Sequence, residues 1–513
     1  MSGDNRGHDP IGTRRSAADA IEATLDASAQ SVMAPGAPPA IATPSLTRTM
    51  GFTDLVLFYV ITGFSLRWIA QAAAAGPSAV VVWIIACLTF YIPHVFCVLE
   101  LSARYPEEGG AYVWAKRAFG GYAGFITAWT YWCSNLPYFP ALLYFGAASA
   151  VIIGGPHWQH LSTDPTYYLA FSLVGIGIAA WCNIVGLNIG KWLHNVAAVG
   201  LWIPTLILIG VGVFWRIRLG PVNSFTWSTM VPSTHLRDLI FWSTVAFSLS
   251  GLESASMLGD EIVEPRKNIP RALLVAGILI TGLYMASTVA VLFVLPAAQV
   301  STLDGVIRAI VAGSQAFGLG ALALVAAVLI TVSVVGGTGA WFAAAGRLPF
   351  VAGLDRYLPA SFAKLHPKWK TPHIALLAQG VLAVLFIFLG QAGTSVKGAY
   401  DVLVGMSIIA YFIPYLFMFA ALIVLQKEPA GPEVSRVPGG RPVAVAMGAL
   451  GFLTTAASMF LACVPSPDDP SPTLAVAKVV GSSVALVLIG TAVYGVAKVR
   501  MARPAAVPDT VAQ

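Results

Sequence analysis

The chain is poor in charge. Only 10% of its 513 residues are Asp, Glu, Lys or Arg, against about 25% in ordinary soluble domains. Its 29 basic and 23 acidic side chains are too few to cover a soluble body of this size. A soluble enzyme, a nucleic-acid binder and a solvated scaffold are thereby excluded. Cysteine is scarce as well: Cys87, Cys97, Cys133, Cys182 and Cys463 are odd in number and lie in or beside apolar segments. Neither a disulfide framework nor a zinc spacing follows, and no cofactor or metal is expected. The first 46 residues hold no apolar run and read as a disordered cytoplasmic tail. They lack the apolar stretch of about 7–15 residues that marks a signal peptide.

What the chain has is apolar length. Hydrophobic residues make up 57% of it, and runs of about 20 such residues cross a bilayer. The pattern predicts twelve helices near 53–75, 78–101, 120–153, 166–186, 192–215, 238–262, 271–295, 317–345, 373–390, 399–426, 442–463 and 474–497. With the amino terminus inside, 22 of the 29 Lys and Arg face the cytoplasm and five face out, while Arg67 and Lys478 lie within spans. This asymmetry predicts a multi-pass protein of the plasma (bacterial inner) membrane with both termini cytoplasmic. The longest inside connection is expected at 346–372, and the link after the sixth span is short. A sugar-type facilitator would place its long loop there, so that fold is disfavoured.

Two spans are interrupted by polar and glycine residues at mid-depth. The first reads Val60-Ile61-Thr62-Gly63-Phe64-Ser65-Leu66-Arg67-Trp68. The sixth reads Phe247-Ser248-Leu249-Ser250-Gly251-Leu252-Glu253-Ser254. Broken helices in corresponding positions of two repeats expose backbone dipoles to a midplane site, and irregular backbone survives in a membrane only beside a cavity. The pattern predicts discontinuous helices 1 and 6 in two five-helix repeats.

Two stretches carry a resemblance. One is Gly251-Leu252-Glu253-Ser254-Ala255-Ser256 with Glu264-Pro265-Arg266-Lys267-Asn268-Ile269-Pro270-Arg271-Ala272; the other is Glu100-Leu101-Ser102-Ala103-Arg104-Tyr105-Pro106-Glu107-Glu108-Gly109-Gly110-Ala111-Tyr112. They resemble the sixth-helix signature and the second-helix exit of the amino acid–polyamine–organocation permeases, over about 51–426. Among members, the chain is most similar to exchangers of the arginine/agmatine type. The resemblance implies an all-α, leucine-transporter-like inverted five-plus-five core with two added helices, and alternating access for amino acids or polyamines. The domains are then a tail (1–50), the ten-helix core (51–426), two further spans (427–499) and a cytoplasmic tail (500–513). The chain departs from those relatives in two places. Thr62-Gly63-Phe64 stands where they show Gly-Ser-Gly. Gly200 or Leu201 stands where proton-coupled members carry a Lys, and no Lys occurs between Trp192 and Trp215. Exchange gains ground as a result, with proton linkage left open.

The expected substrate site combines Ile61, Thr62, Gly63, Phe64 and Ser65 of helix 1 with Phe247, Ser250 and Gly251 of helix 6. Ser134 and Tyr138 belong to the face that Tyr131, Ser134, Asn135 and Tyr138 form at helical spacing, in a helix with Pro137 and Pro140. Thr338, with Ser333, Gly336 and Gly337, comes from the eighth span. The N–H groups of Phe64 and Ser65 would meet a carboxylate, and carbonyls near Ile61, Phe247 and Ser250 an ammonium. Ionisable groups in the membrane need a reason. Arg67 either pairs with Asp401 as an outer gate, as resembling sodium-coupled relatives do, or meets the substrate carboxylate. Glu253 is either a proton-sensitive latch on helix 6 or a buried carboxylate satisfying backbone N–H groups. The reading is a secondary transporter, not an enzyme. Its partners are a small-molecule substrate and the lipid bilayer, with a homodimer possible and no nucleic acid. Neutral amino acids are favoured, Arg67 leaves acidic ones open, and a polyamine permease or a non-transporting sensor are the alternatives.

Overall fold

The structure, a computed structural model, describes residues 51–105, 109–186, 189–233, 236–253, 262–354, 357–429, 431, 434–465 and 471–502. The expected amino-terminal tail, residues 106–108 of the second motif, residues 254–261 of the first and the chain from 503 lie outside the described residues.

The described chain is helical. Ten helices are long and apolar enough to cross a membrane: Gly76–Arg104, Gly121–Thr163, Pro165–Val185, Val199–Arg218, Lys267–Val294, Gly320–Pro349, His373–Gln391, Val396–Leu425, Gly440–Ala462 and Pro472–Ala502. They coincide with ten of the twelve apolar segments. The other two segments hold shorter helices, Phe52–Gly63 with Leu66–Ala73 and Leu236–Ser248.

Local chemistry sets several ends. Asp164 accepts the Thr166 N–H at 2.9 Å and precedes Pro165 at the start of Pro165–Val185, a cap joined to a proline that needs no donor there. Ser395 accepts the Gly398 N–H at 3.1 Å and starts Val396–Leu425. The Glu264-Pro265 turn closes on itself: Lys267 and Asn268 donate their backbone N–H groups to the Glu264 carbonyl, and the Asn268 amide donates to the Val263 carbonyl at 2.6 Å. Some expected boundaries are displaced, that of the eighth span among them. The eighth span continues as helix to Leu354, past the predicted end at 345, so the 346–372 connection begins inside a helix. Arg347 ends the apolar stretch without ending the helix, because the i to i−4 ladder satisfies the backbone in water and lipid alike.

The helix Gly121–Ala150 is buried along almost its whole length and runs on through Pro137 and Pro140. It packs extensively on Val396–Leu425, while Ile189–Arg218 packs on Gly320–Leu354. Leu453, Phe460, Leu488 and Ile489 of the last two helices point outward, as a lipid-facing surface requires. Lys478 is buried there. Its ammonium donates to the Gly390 carbonyl at 2.9 Å and to the Ala392 carbonyl, closing the negative end of His373–Gln391.

Candidate functional site

The first-span helix ends at Gly63, Phe64 and Ser65 are extended, and helix resumes at Leu66. A Cβ on Gly63 would lie 2.8 Å from Ile280 Cδ1, so a larger residue there would have to displace that methyl group. The interruption is clasped by one hydroxyl. Tyr284 Oη accepts the Ser65 N–H at 3.0 Å and donates to the Gly63 carbonyl at 3.1 Å. The Tyr284 ring stacks on Trp83 with centroids 4.5 Å apart, and Trp83 Nε1 donates to Thr288 Oγ1 at 3.1 Å. The clasp therefore rests on a fixed support.

The sixth-span helix ends at Ser248. Gly251 has φ 102, a conformation open to glycine alone at little cost. Here too a tyrosine holds the exposed backbone, with Tyr415 Oη accepting the Gly251 N–H at 2.9 Å. Tyr415 donates in turn to Glu253 Oε2 at 2.5 Å. Glu253, 1% exposed, also accepts from Tyr411 at 2.7 Å and Tyr131 at 3.4 Å, and His94 Nε2 lies 3.3 Å from Oε2. A buried carboxylate so surrounded receives hydroxyls from the third and tenth spans, with the second-span imidazole close by. A wide π-type turn at Cys87–Tyr91 resets the helical register just ahead of His94.

Aromatic rings connect the two interruptions. Phe64 lies 4.8 Å from Tyr284 and 6.3 Å from Trp202. Phe247 packs edge-on against Trp68 and against Tyr411, at 5.2 Å in each case. Phe247 thus joins the sixth-span end to the second half of the first span and to the tenth span.

Other expected residues fall as follows. Thr62, Ser134, Ser250 and Thr338 turn their hydroxyls to carbonyls of their own helices or turn: Phe58, Tyr131, Phe247 and Val334. Three of the backbone groups expected to be bare are engaged. Phe64 N–H donates to the Val60 carbonyl at 3.1 Å, Ser65 N–H goes to Tyr284, and Phe247 O receives the Ser250 hydroxyl. The Ile61 side chain lies outside the described residues. Arg67 and Asp401 are not brought together. Asp401 accepts from Thr302 Oγ1 at 2.9 Å, whereas the Arg67 guanidinium lies 3.9 Å from the Trp68 ring and 4.1 Å from the Tyr138 ring. A cavity of about 420 Å³ is lined by Gln71, Ser243, Thr244, Thr302, Lys397 and Asp401 among others, and Gln71 lies one helical turn from Arg67.

At Gly200 there is no room for a side chain, since a Cβ would lie 2.5 Å from the Leu329 carbonyl and 2.6 Å from Ser333 Cβ. Backbone packing between the fifth and eighth spans thus leaves no space at Gly200, one of the two positions, with Leu201, expected to correspond to a coupling lysine. Tyr284, Tyr411, Tyr415, His94 and Trp68 are the residues that reading the sequence missed. The one available signal was Tyr411 and Tyr415 at i, i+4 spacing inside an apolar span.

The amino acid permease family model matches residues 49–493. An uncharacterized transporter of Legionella pneumophila is 30% identical over 82% of this chain and 91% of its own length. A probable agmatine/putrescine antiporter of Lactococcus lactis is 24% identical over 81% of this chain and 88% of its own. A glutamate/gamma-aminobutyrate antiporter of the same organism is 25% identical over 74% and 76%. With ten membrane-length helices among the described residues and a family match along nearly the whole chain, this protein belongs to the amino acid permeases of the amino acid–polyamine–organocation superfamily.

Proposed function

We propose that this permease is a secondary active transporter that moves amino acids across the bacterial inner membrane by alternating access, as an exchanger or in a proton-linked mode. In this reading the first and sixth segments are discontinuous helices 1 and 6 of twelve, in an inverted five-plus-five repeat with both termini cytoplasmic. Glu253 latches helix 6 in one conformation, and Phe247 closes over the substrate.

The observation that carries the reading is the break at Phe64–Ser65 and the helix end before Gly251, each held by a tyrosine hydroxyl. A hydroxyl that satisfies exposed backbone is a replaceable partner: an acceptor on a substrate can receive the N–H groups it holds, and a substrate ammonium can meet the Gly63 carbonyl. Gly200, closed to side chains, supports exchange over lysine-based proton coupling.

Counterflow in proteoliposomes tests the proposal. Vesicles loaded with an unlabelled amino acid should accumulate the labelled one without any ion gradient. The similarity to the probable agmatine/putrescine antiporter favours a polyamine permease as the second reading. Counterflow of amines with none for any amino acid, whatever the proton or sodium gradient, would replace the first reading by the second.

A further inference from the structure

Arg67 is fully buried, and none of its three guanidinium nitrogens has a hydrogen-bond partner among the described residues. A guanidinium does not shed its proton, so burial leaves an uncompensated charge, a heavy cost unless something neutralises it. The rings of Trp68 and Tyr138 at 3.9 and 4.1 Å attract the cation but leave its N–H groups unbonded. Asp401 does not serve, because its Oδ1 accepts from Thr302 and all the Arg67 nitrogens are unpartnered.

Two further polar groups lie nearby. Gln71, one turn along the same helix face, is 4% exposed. Tyr400, fully buried, has its hydroxyl beside the Gln71 side chain and within electrostatic reach of Arg67. Guanidinium, amide and hydroxyl groups from the first and tenth spans thus converge, and the guanidinium has no acceptor among the described residues. An acceptor-only anion satisfies such a set, and a carboxylate fits the planar guanidinium with two parallel bonds. A diamine would bring more donors and a like charge.

We infer that Arg67, assisted by Gln71 and Tyr400, anchors a carboxylate of the substrate, so that this permease takes carboxylate-bearing amino acids and rejects their decarboxylated amines. The inference deepens the amino acid reading and rests on it. It moves the carboxylate from the engaged N–H groups of Phe64 and Ser65 to a side chain one turn further out.

Ligand-induced thermal stabilisation of the purified full chain tests binding, and counterflow tests transport. The probes are glutamate, glutamine, 4-aminobutyrate, agmatine and putrescine. At least one of the first three should stabilise the protein, and putrescine should not. Stabilisation by glutamine assigns the α-carboxylate; stabilisation by glutamate and 4-aminobutyrate without glutamine assigns a distal one. Arg67→Gln should weaken carboxylate binding on the order of 10- to 100-fold. Tyr400→Phe, which keeps its shape and packing, should weaken it several-fold and decides the matter if Arg67→Gln does not fold. Full carboxylate affinity in both variants, or wild-type binding of amines alone, overturns the inference. Arg67-dependent binding without counterflow would sink the transport reading and leave the anchor standing. Carboxylate counterflow indifferent to Arg67 and Tyr400 would do the reverse.

Discussion

Tyr415 joins Glu253 to the sixth-span interruption through a single oxygen, donating to Glu253 Oε2 at 2.5 Å while accepting the Gly251 N–H at 2.9 Å. Because Tyr411, Tyr131 and His94 reach the same carboxylate, any movement of Gly251 is felt on three other spans. A charge in this position is held by its donors, and hydrogen bonds to charged groups are worth about 1.5–3 kcal/mol each.

Tyr415→Phe should therefore lower the thermal midpoint, with a stability loss of about 1.5–3 kcal/mol, and slow exchange. Glu253→Gln keeps the shape and removes the charge. We expect it to reduce exchange, read by counterflow in buffered vesicles. Exchange unchanged in rate would rule out a latch.

Tyr284→Phe removes the clasp on the first-span interruption but keeps the ring on Trp83. Two backbone groups then lose their partner, at about 1–3 kcal/mol for each buried group left bare. Substrate can supply the missing bonds. The variant should accordingly gain more stabilisation from bound substrate than the wild type does, as measured by thermal shift. An equal gain would mean that substrate does not meet this backbone.

Glycine substitutions separate space from backbone conformation. Gly251 has open space around it, so Gly251→Ala suffers only from φ 102, a strain of about 1–2 kcal/mol. Gly200→Ala meets the Leu329 backbone carbonyl, which cannot rotate away, and should cost more, about 1–3 kcal/mol of overpacking. If Gly200→Ala is the more stable of the two, the fifth and eighth spans are less close than the structure places them.

On the face that carries Arg104, Glu428 ties the helix Ala111–Phe119 to the end of the tenth span. It accepts from Tyr105 at 2.8 Å and from Arg117 Nε at 3.1 Å. The Tyr105 hydroxyl, and after it Arg117, hold this carboxyl below its ordinary value of 4.5. A depressed carboxyl stabilises the fold above its unfolded value, and that contribution is lost as pH falls through the folded one. The thermal midpoint of the wild type should exceed that of Glu428→Gln by a constant margin at neutral pH, and the margin should shrink below about pH 4.5. A margin unaffected by acid would show that the Glu428 charge adds nothing.

Much of the fold was legible because hydropathy is a local property. Ten of the predicted segments coincide with membrane-length helices, since each must satisfy its own backbone in lipid. Gly63 and Gly251 stood out because each sits among polar residues within an apolar run, at corresponding positions of the two expected repeats. The expected Arg67–Asp401 pair was plausible from charge and depth alone. Arg67 instead faces Trp68 and Tyr138, and Asp401 faces Thr302. Sequence spacing gives the depth of a residue in the membrane but not its angle around the helix relative to a partner span.

The sequence by itself determined that this chain lives in a membrane, how many apolar segments it has, and where two of them carry polar interruptions, because chain composition dictates what lipid accepts. Only the tertiary structure decided what those interruptions touch. Tyr284 and Tyr415 lie 219 residues from Ser65 and 164 from Gly251, and whether their hydroxyls meet those amides depends on helix rotation and packing, which no local pattern encodes. The unpartnered state of Arg67 is of the same kind: a missing counter-charge becomes visible only when every neighbour in space is known.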